Sequence, residues 1–420
     1  MKTTIAVLLI LISTSCRRTF EAPVPNTFWD LFNSANAVKL TPSTRMKLEG
    51  VYSVDAGADV FGSLTAAKWS YTAAGTDTTY HLSFFCEKDA AFIICEGKRL
   101  DSSILLNGFW RKMINTETGK VRLTIPSASG SKYLLDGSAV IPSPSLVING
   151  VFGNGEAAPE FPLKLIYQRT LNPGSFEIVA HRGGGRTADL LPASENTVEM
   201  MRLAARLGAT GIETDVRLTK DGVPILYHDA TLNERLVQKD GLLGPIENYT
   251  YAQLNTLVRL KNGERIPTLR EALNTVVYET PLRFVWLDTK FHGSLSQIRA
   301  IQQEFVAKAA AIGRSVDIRI GIPDQDVFKE FLLLPDYKNV PSVSELNPPD
   351  VALSDSKVWG PQWTQGLMQT EVQQAHAAGR KVYVWTLDIS ENIQEYMTKG
   401  NFDGILSNYP TLVAYHHYVR

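Results

Sequence analysis

This chain of 420 residues has little of several features that would narrow its class at once. Its formal net charge is only −1 at pH 7, so no basic surface for nucleic acid is indicated. It has three cysteines and none follows Cys95, which excludes a thiolate metal site in the second half. The glycines after Arg182 lack the G-x-G-x-x-G spacing of a dinucleotide-binding loop. The rest of the composition is that of an ordinary globular protein, long enough for two or three domains.

Long apolar runs are also scarce. The run at residues 5–12 is too short to span a bilayer and is typical of a secretory signal. The small residues Ser13-Thr14-Ser15 before Cys16 resemble a bacterial lipobox, although Ser13 stands where Leu is usual. An ordinary signal with an incidental cysteine is the alternative. We expect a lipoprotein signal at residues 1–16, a tether at 17–45, and an exported protein held at the cell envelope by a lipid on Cys16.

Residues 46–170 consist of short alternating segments separated by turn signals. Examples are AAKWSYTAA, TTYHLSFFCE and GKVRLTIP, while EKDA and NTETG are typical of hairpin turns. These patterns predict an all-β domain, either a sandwich or a lipocalin-like up-and-down barrel. Export would permit a disulfide between Cys86 and Cys95, but a turn at residues 88–89 would not place them opposite each other. Buried free thiols are the alternative.

From residue 171 the pattern changes to strand-like runs alternating with helical ones. We predict eight strands, at EIVAHRG, TGIETDV, VPILYHD, LRFVWLDTK, DIRIGIP, DVALSD, KVYVWTLD and FDGILSN. Helical patterns such as SENTVEMMRLAARLG lie between most of them and stop at glycine. This alternation predicts an α/β TIM barrel over residues 171–420. The barrel should be irregular after its second strand, because RLTKDG indicates a hairpin turn there.

Charged side chains and one aromatic side chain lie where these strands end. This is the face on which TIM barrels carry their active sites. In strand order they are His181 and Arg182, Glu213 and Asp215, His228, Asp288 and Lys290, and finally Trp385. Residues two apart on a strand share a face, so three carboxylates should converge, which is costly unless they are paired or bind a metal. Oxygen ligands suit Ca²⁺ or Mg²⁺, and imidazoles suit proton transfer near neutral pH. Arg182 and Lys290 suit phosphate.

Six stretches of this half, taken in order, resemble the signature of the glycerophosphodiester phosphodiesterase family. They are AHRGG, SENT, GATGIETDVRLTKDGVPILYHDATL, IPTLREAL, LDTK and VYVWTLD, within residues 176–415. In that family the fold is a TIM barrel and the enzymes use a divalent cation. The resemblance implies that His181 and His228 are the catalytic acid and base and that Glu213, Asp215 and Asp288 bind the metal. It also implies that Arg182 and Lys290 hold the phosphate, and we place Trp385 with the substrate-binding residues.

At several positions the sequence differs from the family pattern or leaves the role of a residue open. Glu195 and Asn196 fall on the family's ENT motif, where they would support the metal site or cap the following helix. Asp288 stands where the family usually has Glu, and a shorter carboxylate still coordinates but would pull the metal inward or admit an extra water. Asp388 replaces the family's Asn after WT, and Ser407-Asn408 replaces its final TD. We expect the last two changes to affect the leaving-group pocket.

The sequence therefore predicts an exported, metal-dependent phosphodiesterase that cleaves glycerophosphodiesters to glycerol 3-phosphate and an alcohol. Ca²⁺ is favoured over Mg²⁺, because Ca²⁺ tolerates variable ligand geometry and the cell envelope offers it readily. The membrane is the expected partner, through Cys16, and no protein partner is indicated. The alternatives are a phospholipase D-like or phosphoinositide-type phosphodiesterase on the same barrel, or a catalytically inactive lipoprotein that binds a phospho-ligand.

Overall fold

The computed structural model describes residues 21–136, 143, 145–238 and 242–420. The signal segment, Cys16 and the first residues of the expected tether lie outside the described residues. Two closed sheets dominate this part of the chain, the first antiparallel and the second parallel. None of the helices in the described ranges has the length and apolar character needed to cross a membrane.

The first closed sheet is an up-and-down barrel. Within the described ranges, each strand from β2 to β9 pairs with the next in antiparallel fashion, and β9 pairs back with β2. The barrel alternative for this domain is confirmed and the sandwich alternative is wrong. Its strands are β1 (Val38–Lys39), β2 (Gly50–Ala56), β3 (Leu64–Ala74), β4 (Asp77–Cys86), β5 (Ala91–Leu100), β6 (Ser103–Lys112), β7 (Thr118–Ile125), β8 (Val147–Phe152) and β9 (Phe161–Arg169).

The interior of this barrel is filled by its own side chains. Three short helices accompany the strands, α1 (Pro42–Leu48), α2 (Ala58–Phe61) and α3 (Ser131–Leu135). Tyr52, Phe84 and Trp110 are buried in one apolar cluster with aliphatic residues of every strand from β2 to β9. Cys86 and Cys95 are buried free thiols, and Cys95 lies opposite Leu82 rather than Cys86.

The second closed sheet is the predicted TIM barrel. Among the described residues, eight of its strands (β10, β11 and β15 to β20) run parallel and close on themselves, while β12 adds to β11 in antiparallel fashion. The strands of this sheet are β10 (Glu177–Ala180), β11 (Gly211–Leu218), β12 (Pro224–Leu226), β15 (Phe284–Thr289), β16 (Asp317–Ile322), β17 (Ser342–Ser344), β18 (Val358–Trp359), β19 (Lys381–Val384) and β20 (Gly404–Ser407). Between β12 and β15, β13 (Thr231–Leu232) and β14 (Gly244–Pro245) form a separate antiparallel pair.

Helices cover the outside of the parallel barrel. Thr197 and Thr268 cap two of them, each by accepting a backbone N–H with its hydroxyl oxygen. The helices are α4 (Val198–Ala204), α5 (Tyr251–Leu257), α6 (Leu269–Glu279), α7 (Ser296–Ala311), α8 (Gln325–Leu332), α9 (Pro348–Leu353), α10 (Gln369–Ala377), α11 (Ser390–Lys399) and α12 (Pro410–Val419).

Two of the predicted barrel strands are wrong. The segment VPILYHD supplies β12, which stands beside β11 outside the closed ring, because a hairpin turn joins only antiparallel strands. The segment DVALSD lies mostly in α9. The strands that complete the ring instead are β17 and β18, which have three and two residues.

The two barrels pack against each other through an apolar contact. Phe85 of β4 stacks on Tyr418 of α12, with ring centroids 6.3 Å apart, in one cluster with Leu203 and Leu207. Gly208 lies in this contact with a φ of +92°, and a Cβ at that position would stand 2.5 Å from the Cβ of Ala414. The close approach of the barrels therefore depends on a glycine at position 208.

Candidate active site

Three carboxylates meet at the C-terminal mouth of the parallel barrel. Glu213 and Asp215 belong to β11, and Asp288 belongs to the neighbouring β15, where it is paired with Asp215. All three side chains are buried. Each offers one ligand oxygen, and these oxygens lie within 4.8 Å of one another. Strand alternation places Glu213 and Asp215 on the same face, as the sequence indicated.

The donor set fits a hard divalent cation. Glu213 Oε1, Asp215 Oδ1 and Asp288 Oδ1 are buried and accept no hydrogen bond from any described residue. A buried, unsatisfied carboxylate oxygen is costly, and oxygen ligands at this spacing are those that Ca²⁺ and Mg²⁺ prefer. Burial, together with repulsion from Asp215 and Asp288, raises the pKa of Glu213 well above its ordinary value. A bound cation would remove that repulsion.

The positively charged side chain of Lys290 contacts this carboxylate cluster. Its Nζ lies 2.5 Å from Asp288 Oδ2 and 3.5 Å from Asp215 Oδ1. Burial opposes the charge on Lys290, but Asp288 and Asp215 outweigh it and raise the pKa of the ammonium group. Lys290 therefore stays charged beside the carboxylates, where it can also meet a phosphate oxygen.

His181 follows β10 directly and points to the same mouth. Its Nδ1 lies 2.7 Å from Oδ1 of Asn408, and its Nε2 lies 3.7 Å from Oε2 of Glu213. Burial, with Arg182 next to it, lowers the pKa of His181 to about 3. The imidazole is therefore neutral near pH 7 in the absence of a cation or substrate.

His228 follows β12 and has a different partner. Its Nδ1 lies 2.7 Å from Oδ1 of Asp229. Arg235 donates to both oxygens of Asp229, at 2.6 and 3.0 Å, and so fixes the carboxylate. Both His181 and His228 are close enough to Asp215 to favour its charged form, which helps to lower the pKa of Asp215.

Arg182 is held in place by Glu195. The Arg182 side chain donates to Glu195 Oε1 at 2.8 Å, and its backbone N–H donates to Glu213 Oε2 at 2.9 Å. Its Nε is buried and has no partner in the described part of the chain. Glu195 also contacts Arg235 at 3.3 Å, so one buried carboxylate orients two guanidinium groups at the mouth.

Asn196 contacts the carboxylate cluster directly. Its Nδ2 donates to Asp215 Oδ2 at 2.7 Å, and its Oδ1 accepts from the Asp215 backbone N–H and the Thr214 hydroxyl. The N-cap of α4 is the next residue, Thr197. Asn196 therefore orients an acidic side chain of the cluster rather than capping the helix.

The remaining rim residues are less closely connected to the cluster. Trp385 lies beyond β19 and donates its indole N–H to the Gly360 carbonyl oxygen at 2.7 Å. Glu345 follows β17, and burial together with Asp288 raises its pKa well above the ordinary value. Glu345 could not be predicted as a rim residue, because the sequence pattern does not indicate β17. Arg235 could not be predicted either, because the segment between β12 and α5 carries no motif.

Residues 181–347 match the model of the Glycerophosphoryl diester phosphodiesterase family. These residues form a domain of that family. This matched segment contains both histidines, the three carboxylates, Arg182, Glu195, Asn196 and Lys290. The positions of Trp385, Asp388 and Asn408 lie beyond the matched segment.

Individual relatives match this chain over part of their length. Glycerophosphodiester phosphodiesterase 1 of Rattus norvegicus is 37% identical over 134 residues, which are 30% of this chain and 38% of the rat protein. The glycerophosphodiester phosphodiesterase of Caldanaerobacter subterraneus subsp. tengcongensis is 34% identical over 102 residues, 24% of this chain and 40% of that protein. The chain thus spans about two fifths of the length of these curated relatives.

Solved structures also match part of this chain, with TM-scores below 0.5. The crystal structure of a glycerophosphodiester phosphodiesterase from Agrobacterium tumefaciens str. C58 covers 57% of this chain and 97% of its own, with 22% identity and a TM-score of 0.46. One from Parabacteroides distasonis ATCC 8503 covers 56% and 94%, with 23% identity and a TM-score of 0.44.

Proposed function

We propose that this protein is a cation-dependent phosphodiesterase that hydrolyses glycerophosphodiesters to glycerol 3-phosphate and an alcohol. The observation that carries the proposal is the buried cluster of Glu213, Asp215 and Asp288, in which each side chain has an oxygen that accepts no hydrogen bond from a described residue. The family of the domain at residues 181–347 and the names of its relatives agree with this chemistry.

The two histidines have partners that suit opposite proton-transfer roles. The neutral His181, bonded to an amide oxygen, accepts the proton of the attacking hydroxyl, which is either a water or the 2-hydroxyl of the substrate glycerol. His228, bonded to the Asp229 carboxylate, is suited to carry a proton and gives it to the leaving alkoxide. Attack by the 2-hydroxyl would form a cyclic phosphate, which water then opens.

Positive groups of the chain surround the place where the phosphate would lie. Arg182, whose Nε has no hydrogen-bond partner among the described residues, and Lys290 bind the non-bridging oxygens and orient the phosphorus between the two imidazoles. A divalent cation on the three carboxylates would supply Lewis-acid stabilisation of the charge that develops on the phosphoryl oxygens. We favour Ca²⁺ over Mg²⁺, because the short Asp288 leaves room for water and Ca²⁺ accepts variable geometry.

We further propose that the protein is lipidated on Cys16 and acts at the cell envelope. The support is the apolar run at residues 5–12 followed by Ser13-Thr14-Ser15-Cys16. The membrane would then be reached through the lipid anchor rather than through a spanning helix.

The test is the release of glycerol 3-phosphate by the full chain from a panel of glycerophosphodiesters, with and without chelator. The panel should include choline and inositol phosphodiesters, which distinguish the phospholipase D-like and phosphoinositide-type alternatives. His181→Ala and His228→Ala should each lower kcat by about 10²- to 10⁴-fold, the usual contribution of a positioned acid or base.

His376→Ala is the matched control for these variants. His376 bonds to Asp403 at the opposite end of the barrel, where β20 begins, so its replacement should leave kcat unchanged. Full turnover in excess chelator, or normal turnover of either His181→Ala or His228→Ala, would refute the proposed mechanism.

A further inference from the structure

Asp388 and Asn408, the two positions at which the chain departs from the family signature near the C-terminus, contact each other, and Asn408 also contacts His181. Asp388 Oδ2 accepts from Asn408 Nδ2 at 2.6 Å, and its Oδ1 accepts from the Asn408 backbone N–H at 2.8 Å. The Ser407 hydroxyl donates to the same Oδ1 at 3.1 Å. On its other side, Asn408 Oδ1 lies 2.7 Å from His181 Nδ1. Asn408 is buried, whereas Asp388 and His181 are half-buried.

The direction of these hydrogen bonds is fixed by chemistry. A carboxylate without a proton can only accept, so Asp388 requires the NH₂ group of the Asn408 amide to face it. The reverse orientation would bring two acceptor oxygens to 2.6 Å. The amide oxygen of Asn408 must therefore face His181, where it can only accept. Nδ1 of His181 must then carry the proton, and Nε2 keeps its lone pair.

The lone pair of Nε2 points towards the site of reaction. Nε2 is the ring atom on the side of the carboxylate cluster, 3.7 Å from Glu213 Oε2. A neutral imidazole with its proton on Nε2 would present a donor there and could not accept a proton from the nucleophile. The tautomer therefore decides whether His181 can act as a base.

We propose that Asp388 and Asn408 are positioning residues that hold His181 as the Nδ1–H tautomer, with Nε2 as the proton acceptor. The catalytic consequence rests on the proposed function, whereas the tautomer itself does not. The two residues act through His181, and Asp388 acts one step further away, through the orientation of the Asn408 amide.

The sequence departures agree with this coupling. The family signature has Asn where this chain has Asp388 and Asp where it has Asn408, so the amide and the carboxylate have changed places. The contacting pair still contains one of each, as the hydrogen bond between them requires. The contacts join the two positions to each other and, through Asn408, to His181.

The tautomer can be measured directly. The full chain, labelled with ¹⁵N-histidine, is studied by two-bond ¹H–¹⁵N correlation spectra without and with Ca²⁺, and the His181 signals are assigned by their loss in His181→Gln. Wild type should show His181 with Nδ1 protonated and Nε2 unprotonated. A protonated Nε2 with an unprotonated Nδ1 in the wild-type protein would overturn the proposal without any variant.

The variants test how the tautomer is held. In Asp388→Asn either group of the new amide can face Asn408, so the Asn408 amide is free to turn. We expect kcat on glycerophosphocholine to fall about 10- to 100-fold with little change in KM, the usual effect of losing an outer partner of a functional histidine. The His181 signals should shift towards the Nε2–H form.

Exchange of both residues should restore the arrangement. In Asp388→Asn with Asn408→Asp, the amide at 388 can donate to the carboxylate at 408, which again accepts from His181 Nδ1. This double variant should recover most of the lost kcat and the wild-type tautomer. Asn408→Asp alone places two carboxylates face to face and should lose both activity and thermal stability.

Asp403→Asn is the matched control. Asp403 also connects β19 and β20, through Val382 N–H and His376, but at the other end of these strands. Its replacement should leave kcat and the His181 tautomer unchanged. Wild-type kcat and tautomer in Asp388→Asn would overturn the proposal, as would a stably folded double variant that stays as inactive as Asp388→Asn. If wild type hydrolyses no member of the panel, the proposed function fails, while the spectra still decide the tautomer.

Discussion

The three buried carboxylates should destabilise the protein when no cation is bound, so removing one charge should stabilise it. Glu213→Gln is the suitable change. The backbone N–H of Arg182 donates to Glu213 Oε2 at 2.9 Å, and the amide oxygen of glutamine can accept the same hydrogen bond. The replacement therefore removes the charge while keeping the shape and this contact.

The size of the effect follows from the geometry. Two unit charges 4.8 Å apart repel by about 3.5 kcal/mol at an effective dielectric constant of about 20. Lys290, 2.5 Å from Asp288 and 3.5 Å from Asp215, offsets part of this repulsion. The raised pKa of Glu213 relieves another part by protonation. We expect Glu213→Gln to gain about 1–3 kcal/mol of stability in chelator, or several degrees in Tm, at about 2–4 °C per kcal/mol for a domain of this size.

A cation should reverse the order of stability. A ligand that binds only the folded protein stabilises it by about 2.7 kcal/mol at a concentration 100 times its Kd. Wild type should gain this amount from Ca²⁺, and Glu213→Gln should gain little because one ligand has lost its charge. Wild type should therefore unfold below the variant in chelator and above it in saturating Ca²⁺. Thermal unfolding in both conditions measures this directly.

Glu195→Gln is the matched control. Glu195 is an equally buried glutamate of the same barrel, but it is paired with Arg182 and Arg235. Breaking a buried ion pair by removing one partner costs about 3–5 kcal/mol, so this variant should lose stability both with and without Ca²⁺. If Glu213→Gln is also less stable than wild type in chelator, Lys290 already satisfies the cluster and the argument for a cation site is refuted.

Three further results are expected. Asp288→Glu should change the preference between Ca²⁺ and Mg²⁺ more than it lowers the maximal rate, because a longer side chain displaces water; cation titrations after chelation check this, and an unchanged preference contradicts it. Cys16→Ser should move the protein from the membrane pellet to the soluble fraction, and a soluble wild type would exclude the lipid anchor. Burial, with Arg206 nearby, lowers the pKa of His81 from 6.5 to about 3 in the folded protein. As the pH drops from 6.5 towards 3, the unfolded chain therefore binds a proton that the folded protein does not bind, and the stability of the folded protein falls. His81→Leu should make that fall shallower by up to about 1.4 kcal/mol per pH unit in denaturant unfolding at pH 7 and pH 5, and an unchanged slope would contradict it.

The fold could be predicted as far as the patterns in the sequence extend. The turn RLTKDG can be identified in the sequence, and a hairpin turn cannot join parallel strands. This turn is therefore sufficient to indicate that β12 lies outside the closed ring. The stretch Asn347-Pro348-Pro349 is a strong helix start, which argued against a strand at DVALSD. The strands β17 and β18 have three and two residues, too few for any periodicity to appear. Pairing in the closed ring defines them, and this is a tertiary property.

The site residues likewise fall into those that the sequence predicts and those that it does not. Glu213, Asp215 and Asp288 were predicted to converge because strand alternation and the order of strands in a barrel are properties of the sequence. The partners of the histidines were not predicted. Asn408 lies 227 positions from His181, and Arg235 reaches Asp229 from a segment without a motif. Two histidines that look alike in the sequence therefore differ in the structure, one facing an amide and the other a carboxylate.

The change of pattern near residue 170 indicates two halves, but the contacts between them make the halves interdependent. Phe85 on Tyr418 and the neighbouring leucines form one apolar cluster across the boundary, and its exposure would cost each half stability. Arg111 of β6 extends this dependence to the site. It is buried, and it donates to the Leu190 carbonyl oxygen at 2.7 Å, in the loop that follows Arg182. The antiparallel barrel thereby fixes the loop next to His181, so it supports the geometry of the site as well as the stability of the second barrel.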